Sequence, residues 1–99
     1  MALIQVSAAE LKAKATELRN LNAQFKSQVG NLESQEQNLV GMWEGEARDA
    51  FNTAFHNDKA QMDNFYNLIV QYCVALENIA VQYERAEAQN VSTAASRTY

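Results

Sequence analysis

Catalysis or metal binding in this chain would have to start from His56, its only histidine, or Cys73, its only cysteine. His56 lies between Phe55 and Asn57, with Lys59 and Asp63 nearby on the same stretch. A histidine beside a carboxylate can relay a proton. No second ligand follows at metal-binding spacing, however, so the plainer reading is an exposed or locally satisfied side chain. Cys73 sits among Tyr72, Val74 and Ala75 with no basic neighbour to favour a thiolate, and reads as a small core residue. Being single, it excludes an intramolecular disulfide and any multi-cysteine metal site. Glu33, Glu36, Glu44, Glu46 and Asp49 gather towards the middle of the chain, but paired carboxylates work as acid and base only inside a cleft. Gly30, Gly41 and Gly45 form no phosphate-cradling loop. The reactive groups converge on no reaction, so the expectation is a protein that is not an enzyme and has no cofactor or metal.

Two further features stand out by position. Trp43-Glu44-Gly45 holds the only tryptophan, at a Gly41…Gly45 break between two long periodic segments. Tyr83 and Glu87, four residues apart, share one helical face. Each has a bland reading: Trp43 as a plug closing the end of a hairpin, Tyr83 as an ordinary seam residue beside a solvated carboxylate.

The elements that position these residues follow from periodicity. Ser7-Ala8-Ala9-Glu10 reads as a capping box opening a helix. Leu11, Leu18, Phe25, Leu32 and Leu39 then recur every seven residues, with Ile4 in phase before the cap, and Ala15, Leu21, Val29 and Met42 widen the row. Beyond the bend, Phe51, Phe55, Asp58, Met62, Phe65, Ile69, Tyr72, Leu76, Ile79, Tyr83 and Ala86 alternate steps of four and three, a sustained heptad pattern broken only at Asp58. Proline is absent, which leaves glycine as the only strong helix breaker. The expected layout is a helix over about 8–40, a bend at 41–45, a second helix over about 46–87, and a flexible polar tail over 88–99.

Composition sets the outer limits. At 99 residues and 11.1 kDa the chain is one thin domain, and 47% apolar residues suffice for a packed core. A net charge of −4 with basic residues interleaved among acidic ones argues against nucleic acid. The N-terminal residues do not read as a secretory signal peptide. The most apolar window, 65–81, is interrupted by Asn67, Gln71, Glu77 and Asn78, whereas a bilayer span needs about 20 mostly apolar residues. Two helices of this length reach about 50–65 Å. The second is apolar on more than one face, through Tyr66, Leu68, Val70, Cys73 and Val74, and one partner helix cannot cover it all. The economical solution is a dimer of antiparallel hairpins forming an all-α four-helix bundle, with Phe65, Ile69, Tyr72 and Leu76 in the dimer interface.

Length, mid-chain Trp-Xaa-Gly, the capped first helix and Tyr83-Glu84-Arg85-Ala86-Glu87 as a Tyr-Xaa-Xaa-Xaa-Asp/Glu motif together resemble the WXG100 family, the proteins similar to the mycobacterial early secreted antigenic target and their relatives in Gram-positive bacteria. The resemblance covers essentially the whole chain. It implies a substrate of a type VII (ESX) secretion system, exported as a folded helical dimer without a cleaved signal peptide, and secreted or surface-exposed after folding in the cytoplasm. It assigns the secretion signal to Trp43, Gly45, Tyr83 and Glu87 together with the tail, recognised by a membrane-bound FtsK-like ATPase. It implies a homodimer, or a heterodimer with a related hairpin, acting as a virulence effector or as an adaptor for co-secreted substrates. Two rival readings stand beside it: a membrane-active, pore-forming or lytic effector, motivated by the 65–81 window, and an intracellular coiled-coil scaffold.

Overall fold

The computed structural model describes residues 6–96, with side chains placed for 6–91. Ser7 takes an extended backbone (φ −88°, ψ 160°) and its Oγ accepts the Glu10 N–H at 3.1 Å, while its carbonyl accepts the Leu11 N–H. One of the orphan donors of a helix start is thereby satisfied. The first helix, α1, runs Ala8–Met42. Gly41 does not end it; the turn comes two residues later, where Trp43 leaves helical geometry (φ −115°, ψ 129°) and its N–H returns to the Val40 carbonyl. Gly45 carries the chain around at φ +118°, a region that L side chains avoid. An added Cβ there would meet nothing within 4 Å, so the bend needs glycine for backbone freedom and not for space. The Arg48 N–H to the Gly45 carbonyl opens the second helix, α2, Glu46–Ser96.

The expected end of the second helix at 87 is corrected by this structure, which continues α2 through Ser96. No glycine or proline interrupts the chain beyond Gly45, and Ala88, Gln89, Ala94 and Ala95 are sound helix formers. Polar composition removed the apolar stripe without removing the helix. The remaining tail residues, 97–99, and Ile4 lie outside the described residues.

The two helices pack antiparallel along their length. Their contact is built from small and mid-sized side chains: Ala8, Ala15, Asn22, Val29 and Glu36, at seven-residue spacing, are the buried residues of α1, and Cys73 and Ala80 are fully buried on α2. The predicted large-residue rows do not form this seam. Leu18, Leu32 and Leu39, with Phe51, Phe65, Tyr72, Ile79 and Tyr83, remain exposed on the hairpin. The physical reason is axial distance: alanine and cysteine let two helices approach closely, and the bulky rows three residues further along are turned aside from the contact.

Candidate functional site

The seam leaves two unlike flanks. Four residues beyond Ala8, Ala15, Asn22 and Val29 stand Lys12, Arg19, Lys26 and Glu33. Lys12 pairs with Glu84, Arg19 grips Glu77 through two hydrogen bonds of 2.7 and 2.6 Å, Lys26 lies 4.8 Å over the Tyr66 ring, and Glu33 meets Lys59 at 3.6 Å. This charged ladder bridges the helices along one side. Its hydrogen bond from Arg19 holds the Glu77 carboxyl below the usual carboxylate range and raises the Arg19 guanidinium further still. The hydrogen bond to Asp63, aided by Glu33, raises Lys59. On the other side, three residues beyond or one before the seam positions, stand Leu18, Leu21, Phe25, Leu32 and Leu39 of α1, facing Phe51, Phe55, Phe65 and Ile69 of α2; by helical spacing Tyr72 and Leu76 continue that α2 row. Phe25 meets Phe65 edge-on at 5.5 Å, yet Phe65 is still 51% and Tyr72 55% exposed. The four residues expected at a dimer interface all fall on this apolar flank, Ile69 and Leu76 half-buried and Phe65 and Tyr72 open.

Trp43 and the Tyr83–Glu87 pair occupy opposite ends of the hairpin. Trp43 is half-buried at the bend, its ring 5.7 Å from that of Phe51, which fits a partial plug. Tyr83 is 46% exposed near the open end. Glu87 does more there than a solvated neighbour: its Oε1 accepts the Ala8 N–H at 3.1 Å, so it caps the start of α1. One chain therefore does not bring the expected signal residues together.

His56 is exposed, with its ring edge-on to Phe55 at 6.1 Å, and Cys73 is a fully buried free thiol. Among the described residues no group of His, Cys, Asp or Glu is arranged to hold a metal ion, and no helix is long and apolar enough to cross a membrane. An open cleft of about 340 Å³ lies between the helices at mid-length, lined by Phe25, Lys26, Val29, Lys59, Met62 and Tyr66. Its two lysines are already engaged, Lys59 by Asp63 and Glu33, Lys26 by Tyr66.

Sequence reasoning missed the seam polar residues. Asn22 and Glu36 look like dilutions of an apolar row, but they stand in register with Ala8, Ala15 and Val29 and are buried. The seven-residue recurrence of Lys12, Arg19 and Lys26 was the available sign of the ladder.

Comparison with known proteins agrees with this architecture. The family model described as WXG100, proteins of 100 residues with WXG, matches residues 3–88. The crystal structure of the secreted protein EsxB from Bacillus anthracis is 25% identical and superposes with a TM-score of 0.77 over 88% of this chain and 99% of that one. EsxA from Geobacillus thermodenitrificans, at 20% identity, shares the fold with a TM-score of 0.76 over 90% of this chain and 96% of its own. No curated protein matches the sequence.

Proposed function

The chain belongs to the WXG100 family, and from that premise we propose that it is a small non-enzymatic protein exported as a folded homodimer by a type VII secretion system. WXG100 proteins are small, secreted, non-enzymatic helical proteins that assemble as dimers or heteromers, and a pair of hairpins completes a four-helix bundle consistent with that fold. The observation that carries the proposal for this chain is the division of the hairpin into a flank closed by ion pairs and a flank of uncovered large apolar side chains. Leaving that second face wet is costly at about 25 cal/mol per Å² of apolar area, and a second copy covers it.

In an antiparallel dimer the bend of one protomer arrives beside the end of α2 in the other. Trp43 and Gly45 of one chain and Tyr83 with Glu87 of its partner then form one composite surface at each end of the bundle, which a monomer lacks. This surface, with residues 88–99, is the feature offered to a membrane-bound FtsK-like ATPase. After export the dimer serves as an effector or as an adaptor for co-secreted substrates.

The test is accumulation of the protein in culture medium by cells with the secretion ATPase intact and by cells without it. Export only in the first supports the proposal. Equal amounts outside both, or retention inside both, overturns it.

A further inference from the structure

The open end of the hairpin is fastened at two levels, one helical turn apart. Glu84 pairs with Lys12, and Glu87 Oε1 accepts the Ala8 N–H at 3.1 Å. Three residues on α2 and four on α1 separate the two contacts, so both fall on one side of each helix. The second contact answers a need of α1. The Ser7 hydroxyl takes the Glu10 N–H and the Ser7 carbonyl takes the Leu11 N–H, which leaves the Ala8 N–H to be satisfied from elsewhere. Ala8 is only 4% exposed, and a donor shielded from water is costly to leave unpaired. The acceptor comes from α2, 79 residues away.

Position gives this contact leverage. α1 begins at Ala8, whereas α2 continues past Glu87 to Ser96. Residues 88–96 therefore run about 13 Å beyond the first turn of α1, and residues 88–91 are exposed. Among the described residues, Glu87 is the last of α2 to make a hydrogen bond or ion pair with α1. Without it the fastening retreats to Glu84, and the stretch of α2 beyond grows from residues 88–96 to residues 85–96. Helix ends fray from the terminus inwards, so the last fastening decides how far fraying reaches. Tyr83, 46% exposed, stands just inside that point.

We propose that Glu87 serves export as a positioning residue. Through the Ala8 N–H it clamps α2 to the first turn of α1, and so sets the direction in which Tyr83 and residues 88–96 are offered to the receptor. The proposal rests on the export reading above and changes the part Glu87 plays in it. What export needs at this place is an acceptor oxygen, not a negative charge presented to a cationic pocket. Ala8 thereby becomes part of the signal, although it lies far from the motif in sequence. The neighbouring acid agrees, because Glu84 is also turned towards α1, at Lys12. Glu87 itself stays exposed, so direct reading of its charge is the rival that the experiment separates.

Export per folded dimer remaining in the cell, measured with the ATPase intact, makes that separation. Glu87→Ala removes the acceptor, whereas Glu87→Gln keeps an acceptor oxygen and removes the charge. Ala8→Pro removes the donor and leaves residue 87 untouched. Proline suits the first position of a helix, and Ser7 ahead of it already has the extended backbone that proline demands. Glu87→Gln should be exported close to wild type. Ala8→Pro should fall to the level of Glu87→Ala, and the double variant no further. Glu87→Gln as poor as Glu87→Ala, or a double variant poorer than Ala8→Pro, would mean that the receptor reads the carboxylate and would overturn the proposal. The clamp also has a readout that needs no export. Hydrogen exchange at the Ala8 amide should speed up about fivefold in Glu87→Ala, as loss of a helix cap allows, and stay near wild type in Glu87→Gln. Unchanged exchange in Glu87→Ala overturns the proposal, and should Ala8→Pro not fold, this measurement and Glu87→Gln decide. If wild type is not exported, or is exported without the ATPase, the export reading fails and this role with it. If wild type is exported and Ala8→Pro leaves the cell equally well, this proposal alone is wrong.

Discussion

Glu87 Oε1 accepts the backbone N–H of Ala8 at 3.1 Å, joining the open end of α2 to the first turn of α1. A carboxylate there satisfies an orphan donor and faces the positive end of the helix dipole. Glu87→Ala should therefore lower stability by about 0.5–2 kcal/mol, read as a shift of the urea midpoint at fixed protein concentration. An unchanged midpoint would show that the cap is not formed in solution. Any secretion defect of this variant has to be compared with the amount of folded protein left inside the cell.

The proposed dimer, closed through the apolar flank, should be sensitive to charge there. Leu76→Asp or Ile69→Asp should split the dimer or unfold the chain, because burying an unpaired carboxylate costs several kcal/mol. Light scattering at micromolar concentration decides the matter, and a variant that stays dimeric would remove these residues from the interface.

Separation of Trp43 from Glu87 at opposite ends of one hairpin predicts complementation between copies. Chains carrying Trp43→Ala and chains carrying Glu87→Ala should each be exported poorly as homodimers. Co-expressed with different tags, they form mixed dimers that keep one intact composite surface, and export should partly recover. Mixed dimers that assemble normally but remain inside the cell would mean that the two motifs act separately.

The Arg19–Glu77 pair gives a pH dependence of definite sign. Its hydrogen bond lowers the Glu77 carboxyl from its ordinary value of 4.5, so the contribution is complete above that value and is lost as pH falls through the lower, folded-state one. Arg19 is raised and stays charged throughout. Lys59, also raised, contributes below the usual lysine range and loses that contribution only as pH climbs past it. Wild type should therefore lose stability more steeply than Glu77→Gln on acidification below 4.5, as followed by circular dichroism melts. Parallel acid limbs would place the pair outside the folding balance.

Much of this architecture was legible in the residues. Ser7 and Glu10 announced the start of α1, and Gly45 the bend, because caps and left-handed turns depend on local chemistry that few residue types supply. The seam was not legible from hydrophobicity, which singled out Leu18 and Leu32 over Ala15 and Cys73. Hydrophobic patterning reports which rows avoid water in the finished assembly, whereas side-chain volume decides which row lets two helices lie closest. The α2 extension was missed for a related reason: loss of an apolar stripe after Ala86 says nothing against helix where no breaker intervenes. The capping role of Glu87 joins residues 79 positions apart, and only the antiparallel register brings them together.

The apolar flank raises a question of sliding. Leu18, Leu21, Phe25, Phe65 and Ile69 line one groove along it, and the residues fourteen further along α1 and fourteen back along α2, Leu32, Gln35, Leu39, Phe51 and Phe55, line another. A face that repeats every fourteen residues, about 21 Å of helix, looks nearly the same to a covering surface displaced by that distance. An apolar coating alone cannot tell the two placements apart, so the marks that fix one alignment have to come from polar groups at its margins.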